Sequence, residues 1–274
     1  MTSADPQRPE TAELTMPTPA TTARPEWTAE APAGGWASPW PQAAELAHTI
    51  PSEQWTLVGG LMVQLHAAKA KVPLNRPTLD VDIVLHIETG AAVFKQIKKQ
   101  LEELGYELDM PPTDDPIHRF TRGPQESKQI IDVMVADHLS PRYRPTLKGR
   151  PVFRIPTGTS ALRKTVNCTI EIDGAPTRLS LPTVLGALIP KGEAHLRDSR
   201  DKQRHLDDAA ILASTIVNPI VERKAPMTRH DPFRLRTLAT ALKDPHHPSW
   251  LMVPEKRRRR AHTALQKIAE RPTK

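Results

Sequence analysis

The sequence predicts an α/β (α+β) protein in which a mixed sheet comes first and a helical subdomain follows. Three observations carry this reading. Period-two apolar alternation marks strands at 79–87 and 128–136, helical apolar spacing marks 90–105, and helix patterns dominate from 183 onward. A chain of 274 residues, 38% hydrophobic and 25% charged, is long enough for one domain with extensions or two small ones.

Residues 1–41 are rich in Pro, Ala and Thr and lack apolar periodicity, so they read as a disordered tail. Trp27, Trp36 and Trp40 stand out there, either docking on the domain or lying loose. Order is expected from Gln42. AAELAHTI forms a short helix ended by Pro51, and WTLVGG is a brief strand running into a glycine turn. LMVQLHAAKAK leaves that turn as a helix with Leu61, Leu65 and Ala68 on one face. LDVDIVLHI alternates over Leu79, Val81, Ile83 and Leu85 as a strand.

Residues 90–105 give the clearest amphipathic helix, with Val93, Ile97, Leu101 and Leu104 as its stripe and Gly105 as its stop. HRFTR (118–122) and KQIIDVMVA (128–136) are strands. RKTVNCTIEI and APTRLSL form a hairpin around Asp173-Gly174. Residues 183–214 are helical with an interruption at Pro190, after which Lys191 starts a new helix. Helices are also expected after Pro232 and over the basic segment PEKRRRRAHTALQKIAE. The resulting boundaries are 1–41 for the tail, 42–140 for the core, 141–225 for a hairpin and helical subdomain, and 226–274 for a basic helical extension.

The net charge of +7 suits an acidic partner such as nucleic acid or nucleotide phosphates, although many basic proteins bind neither. The single Cys168 excludes an intramolecular disulfide and a cysteine-rich zinc site. No apolar run approaches a membrane span and no secretory signal is visible, so a cytoplasmic protein is expected. The basic run Lys256–Arg260 either tracks a nucleic-acid backbone or serves as a solvated helix face.

Asp80 and Asp82 are the sharpest chemical signal. Residues two apart on a strand project from one face, so both carboxylates converge on one spot. Like charges so close are costly unless a cation or proton separates them, and a hard ion such as Mg²⁺ does so. Asp132, set in the apolar run Ile130–Val135, is either a third ligand or the partner of an arginine such as Arg119. Gly59-Gly60 closes a strand and opens a helix, where backbone N–H groups attract phosphate oxygens. Lys191 is a point charge suited to a triphosphate, or else a solvated surface lysine.

The run LVGGLMVQLHAAKAKVPLNRPTLDVDIVLHI resembles the polymerase-β-type nucleotidyltransferase signature of Gly-Gly, helix, and Asp-x-Asp on a strand. With its Arg76-Pro77-Thr78 lead, the strand pair HRFTR and QIIDVMVADHL, and LPTVLGALIPKGEAHLRDSRDKQRHLDDAAIL, it is similar to the AbiEii/MenT group of toxin-like enzymes. The likeness spans about residues 50–215. It implies Asp80 and Asp82 as metal-binding catalytic residues, Asp132 as a third carboxylate, and Mg²⁺ as cofactor. It also implies phosphate contacts from Gly59, Gly60, Thr78 and Lys191, and a catalytic role for Lys191 and Asp208, with Asp207 an equal candidate on chemistry alone. The expected activity is transfer of a nucleotide from an NTP to an acceptor hydroxyl, by analogy the tRNA 3′ end, in a toxin with an antitoxin partner. Rival readings are transfer onto a protein or a small molecule such as an antibiotic, and a non-catalytic RNA-binding relative.

Overall fold

A computed structural model describes residues 24–73 and 77–270. The expected tail over 1–23 and Arg76 of the Arg-Pro-Thr lead lie outside the described residues. The first half of the chain contains β1 (Glu26–Thr28), α1 (Trp40–Thr49), β2 (Trp55–Leu57), α2 (Gly59–Lys69), β3 (Asp80–Leu85), α3 (Phe94–Glu103), β4 (Glu107–Leu108), β5 (Arg119–Arg122) and β6 (Gln129–Ala136). Then come β7 (Thr146–Leu147), β8 (Arg150–Pro151), β9 (Arg154–Ile155), α4 (Gly158–Leu162), β10 (Thr165–Ile172) and β11 (Ala175–Pro182). Five helices follow: α5 (Val184–Arg197), α6 (Lys202–Thr215), α7 (Pro219–Arg223), α8 (Asp231–Ala241) and α9 (Glu255–Ala269).

The architecture is mixed α+β, with the mixed sheet and helical second half that the sequence implies. The main sheet has the order β2-β3-β6-β5-β4, with β9 added alongside β6. β3 and β6 run parallel at its centre, and β2 and β5 pair antiparallel to them. Strand alternation divides the sheet chemically. Val81, Ile83, Leu85, Ile131, Val133 and Val135 enter the main core. On the other face, Val84 and Met134 pack with Val58, Ala136 and Leu162, while Asp80, Asp82 and Asp132 line a cleft. The helical half supplies the opposite wall, because α2 packs on α6 and α6 packs on α5.

Four expectations change. Residues 24–41 are not a loose tail: β1 pairs with β10, Trp40 is buried, and its indole donates to the Gln64 side chain at 2.7 Å. Aromatic burial and one strand pairing supply the ordering that composition alone denies this segment. The helix expected from 90 starts at Phe94; Phe94 joins Ile97 and Leu101 in the core while Val93 is exposed. Leu79 precedes β3 and is 77% exposed, so it takes no part in the strand's buried face.

The fourth change concerns Pro190, which does not interrupt α5. Proline there removes one helical hydrogen bond, the one to the Gly186 carbonyl. Burial of Leu185, Leu188 and Ile189 outweighs that loss, and the break falls instead at 198–201. The basic segment is likewise no appendage: Leu235, Leu238, Trp250, Leu265 and Ile268 belong to the same core as the sheet.

Gly192 shows why α5 needs a glycine two residues after that proline. A Cβ at this position would lie 2.4 Å from the Arg234 carbonyl oxygen, so α8 crosses α5 with almost no clearance. Gly192→Ala is expected to destabilise the protein by about 1–3 kcal/mol, lowering Tm by roughly 5 °C in thermal unfolding.

Candidate active site

The carboxylate cluster follows from strand register. Asp82 on β3 lies opposite Asp132 on β6 in the parallel ladder, and Asp132 lies opposite Arg119 on β5 in the antiparallel one. One transverse row across three strands therefore reads Asp82, Asp132, Arg119. Asp80 sits two residues before Asp82 on the same face. Each of the three aspartates places a carboxylate oxygen within 4.8 Å of the others.

The turn before α2 completes the floor. Gly59 adopts φ +67°, and a Cβ there would sit 1.8 Å from an Asp82 carboxylate oxygen. The absent side chain is what lets Asp82 lie against the start of α2, and the Val58 N–H donates to the Asp82 carbonyl at 2.9 Å. The Thr78 hydroxyl donates to Asp80 at 3.1 Å. Among the described residues, no side chain donates a hydrogen bond to the Asp82 carboxylate, which is left facing the cleft.

Burial pushes the Asp82 carboxyl up to about 7, and the neighbouring Asp80 and Asp132 charges push the same way. Lys191 and Arg204 pull it back only in part. The Asp132 hydrogen bond is the main reason the Arg119 guanidinium is held even more firmly charged than usual, with Asp80 and Asp82 adding to it. A divalent cation suits this donor set: three convergent carboxylates, one of them an unshared group destabilised as an anion.

The cleft has a volume of about 660 Å³ and carries cationic groups on the wall opposite the acids. Lys191 lines it, and its Nζ pairs with Asp208 Oδ2 at 2.7 Å. Arg197, Arg200 and Arg204 surround the 198–201 turn. Asp198 organises that turn, accepting from the Arg200 N–H at 2.8 Å and from His205 at 3.1 Å. These contacts, led by the Arg200 N–H, hold its carboxyl down at about 2. Burial keeps His205 below its ordinary range. At the apolar end His118 and Phe153 lie with ring centroids 5.6 Å apart.

The expected site residues separate into two groups. Asp80, Asp82, Asp132, Gly59 and Lys191 converge on the cleft. Gly60, Thr78 and Asp208 are not on its wall: Thr78 orients Asp80, and fully buried Asp208 stands behind Lys191. Asp207 faces Gln203, whose amide donates to it at 2.7 Å. Arg119 entered the sequence reading only as a partner for Asp132. His118, Phe153, Arg197, Arg200 and His205 carried no site assignment at all, since nothing in their spacing shows which strand or turn faces the acids.

No protein-family model matches the chain, and no curated protein sequence matches it. A solved structure described as an antigenic nucleotidyltransferase-like protein from Paracoccidioides brasiliensis is similar, with a TM-score of 0.49 and 18% identity. That similarity covers 74% of this chain and 88% of the other. Among the described residues, no helix is long and apolar enough to cross a membrane.

Two outcomes test the electrostatics. With its carboxyl raised in the fold, Asp82 keeps a proton that the unfolded chain releases, so the metal-free protein loses stability as pH rises from about 4 to about 7. Asp82→Asn is therefore expected to raise the metal-free Tm by roughly 5 °C at pH 8, with the gap closing toward pH 4.5. Gly59→Ala is expected to displace the Asp82 carboxylate and so to remove any thermal stabilisation that a divalent cation gives the wild type, while circular dichroism remains native.

Proposed function

We propose that the protein is a metal-dependent nucleotidyltransferase, moving a nucleotide from an NTP onto an acceptor hydroxyl with release of pyrophosphate. The observation that supports this most is the Asp80–Asp82 pair packed against Gly59 at the start of α2, with Asp132 beside it. Asp80 and Asp82 would hold Mg²⁺, with Asp132 as the third carboxylate. The ion would neutralise the charge of the triphosphate and of the carboxylates themselves.

The chain's own groups account for the remaining tasks. Backbone N–H groups at the start of α2 bind phosphate oxygens, assisted by the positive end of the helix. Lys191 and Arg204 supply positive charge from the opposite wall, and Asp208 holds the lysine Nζ at that wall through a buried ion pair. Thr78 fixes Asp80 through its hydroxyl. In the transfer, the acceptor oxygen forms a bond to the α-phosphorus and the α–β bridging bond breaks. Pyrophosphate departs with the bridging oxygen, and the hydroxyl proton passes to a cleft carboxylate.

The likeness to the AbiEii/MenT group favours the 3′ end of tRNA as acceptor, and with it a toxin restrained by an antitoxin. Basic groups at the 198–201 turn and the net charge of +7 are compatible with an RNA acceptor. Incubation with each labelled NTP and Mg²⁺, first with total RNA and then with protein lysate, tests both levels. Wild type is expected to label RNA, and Asp82→Ala to lose at least about 100-fold of that labelling. Label confined to protein would remove the tRNA assignment. No transfer from any NTP to either acceptor pool, with folded protein, would remove the transferase itself.

A further inference from the structure

Asp132 has two claims on it that compete with each other. Its carboxylate belongs to the converging triad, yet both its oxygens are already taken: Arg119 Nε donates to Oδ1 at 2.9 Å and Nη2 to Oδ2 at 2.7 Å. This is a fork-to-fork pair, the strongest arrangement available to a guanidinium and a carboxylate. Among the described residues, Asp80 and Asp82 carry no such partner. The two sides of the pair also differ in freedom. Asp132 is fixed in mid-strand with its side chain 8% exposed, whereas the Arg119 side chain is 39% exposed along the cleft wall. If the pair opens, Arg119 is the member that moves.

We propose that Arg119 gates the site: it reserves Asp132 in the nucleotide-free protein and surrenders it when a substrate phosphate draws the guanidinium away. The proposal rests on the reading of the cleft as a metal and nucleotide site. Charge counting supports it. The three ionised carboxylates carry three negative charges, Arg119 cancels one, and a single divalent ion on Asp80 and Asp82 cancels the other two. A second divalent ion then meets no net negative charge among these four groups, and the Asp132 oxygens nearest to it are engaged by Arg119. A triphosphate changes both conditions, because its oxygens accept the same planar fork that a carboxylate does and bring more negative charge. The released Asp132 oxygens then complete a second cation site. Metal loading is thereby coupled to the nucleotide, and the acids are not flooded with cations in its absence.

Electron paramagnetic resonance of the full chain with Mn²⁺ tests this without reference to turnover. Wild type is expected to take one Mn²⁺ in the absence of nucleotide and to show a spin-coupled pair once a non-hydrolysable NTP analogue is added. Arg119→Gln is expected to show the coupled pair with no nucleotide present. Arg119→Lys retains the charge but cannot span both oxygens, and is expected to show the pair too, at higher Mn²⁺; it serves if the glutamine variant fails to fold. A coupled pair in nucleotide-free wild type would overturn the proposal. So would folded Arg119 variants that still take a single ion. In that last case the metal-site reading survives, whereas a wild type that takes no Mn²⁺ in either state removes both.

Discussion

The structure turns on a pairing of like charges across two parallel strands. β3 and β6 set Asp82 opposite Asp132, and Asp80 completes a group of carboxylates within 4.8 Å of one another. Such a group opposes folding unless something neutralises it. The protein answers in part. Arg119 takes Asp132 from the neighbouring strand, Thr78 steadies Asp80, and Asp82 is left to hold a proton or a cation. Stability surrendered at this point is what the rest of the core supports, and a bound ion returns it through mass action.

Close approach of backbone to side chain makes the cluster specific. Gly59 brings the start of α2 within van der Waals reach of Asp82, so the free N–H groups of a helix start and the carboxylate oxygens share one floor. The opposite wall is built from α5, α6 and the turn between them, and each part is tied down from behind. Asp208 anchors Lys191, Asp198 shapes the turn, and Gly192 lets α8 brace α5. The C-terminal helices contribute no residue to the acids, yet their packing fixes where the cations stand.

Much of this was legible in the chain. Period-two alternation placed Asp80 and Asp82 on one strand face and Asp132 inside another, and the glycine pair marked the turn before a helix. The hairpin at Asp173-Gly174 and the helical second half were equally plain. Other features depend on tertiary contacts that local patterns do not encode. Nothing near Pro190 announces that buried Leu185, Leu188 and Ile189 carry the helix through it. Composition hides the strand at 26–28, because its pairing partner lies about 140 residues away. Arg119 was visible as a partner for Asp132, but only strand order shows that this partnership sits on the wall of the cleft.

The proposed function requires a divalent cation on the Asp80–Asp82 pair. An anomalous-difference map from crystals grown with Mn²⁺ and a non-hydrolysable NTP analogue reads this directly. The expected result is a peak at ordinary coordination distance, about 2.0–2.3 Å, from oxygens of both Asp80 and Asp82 and from phosphate oxygens of the analogue. A cleft with well-ordered carboxylates and no anomalous peak, or a peak held only elsewhere on the protein, would contradict it.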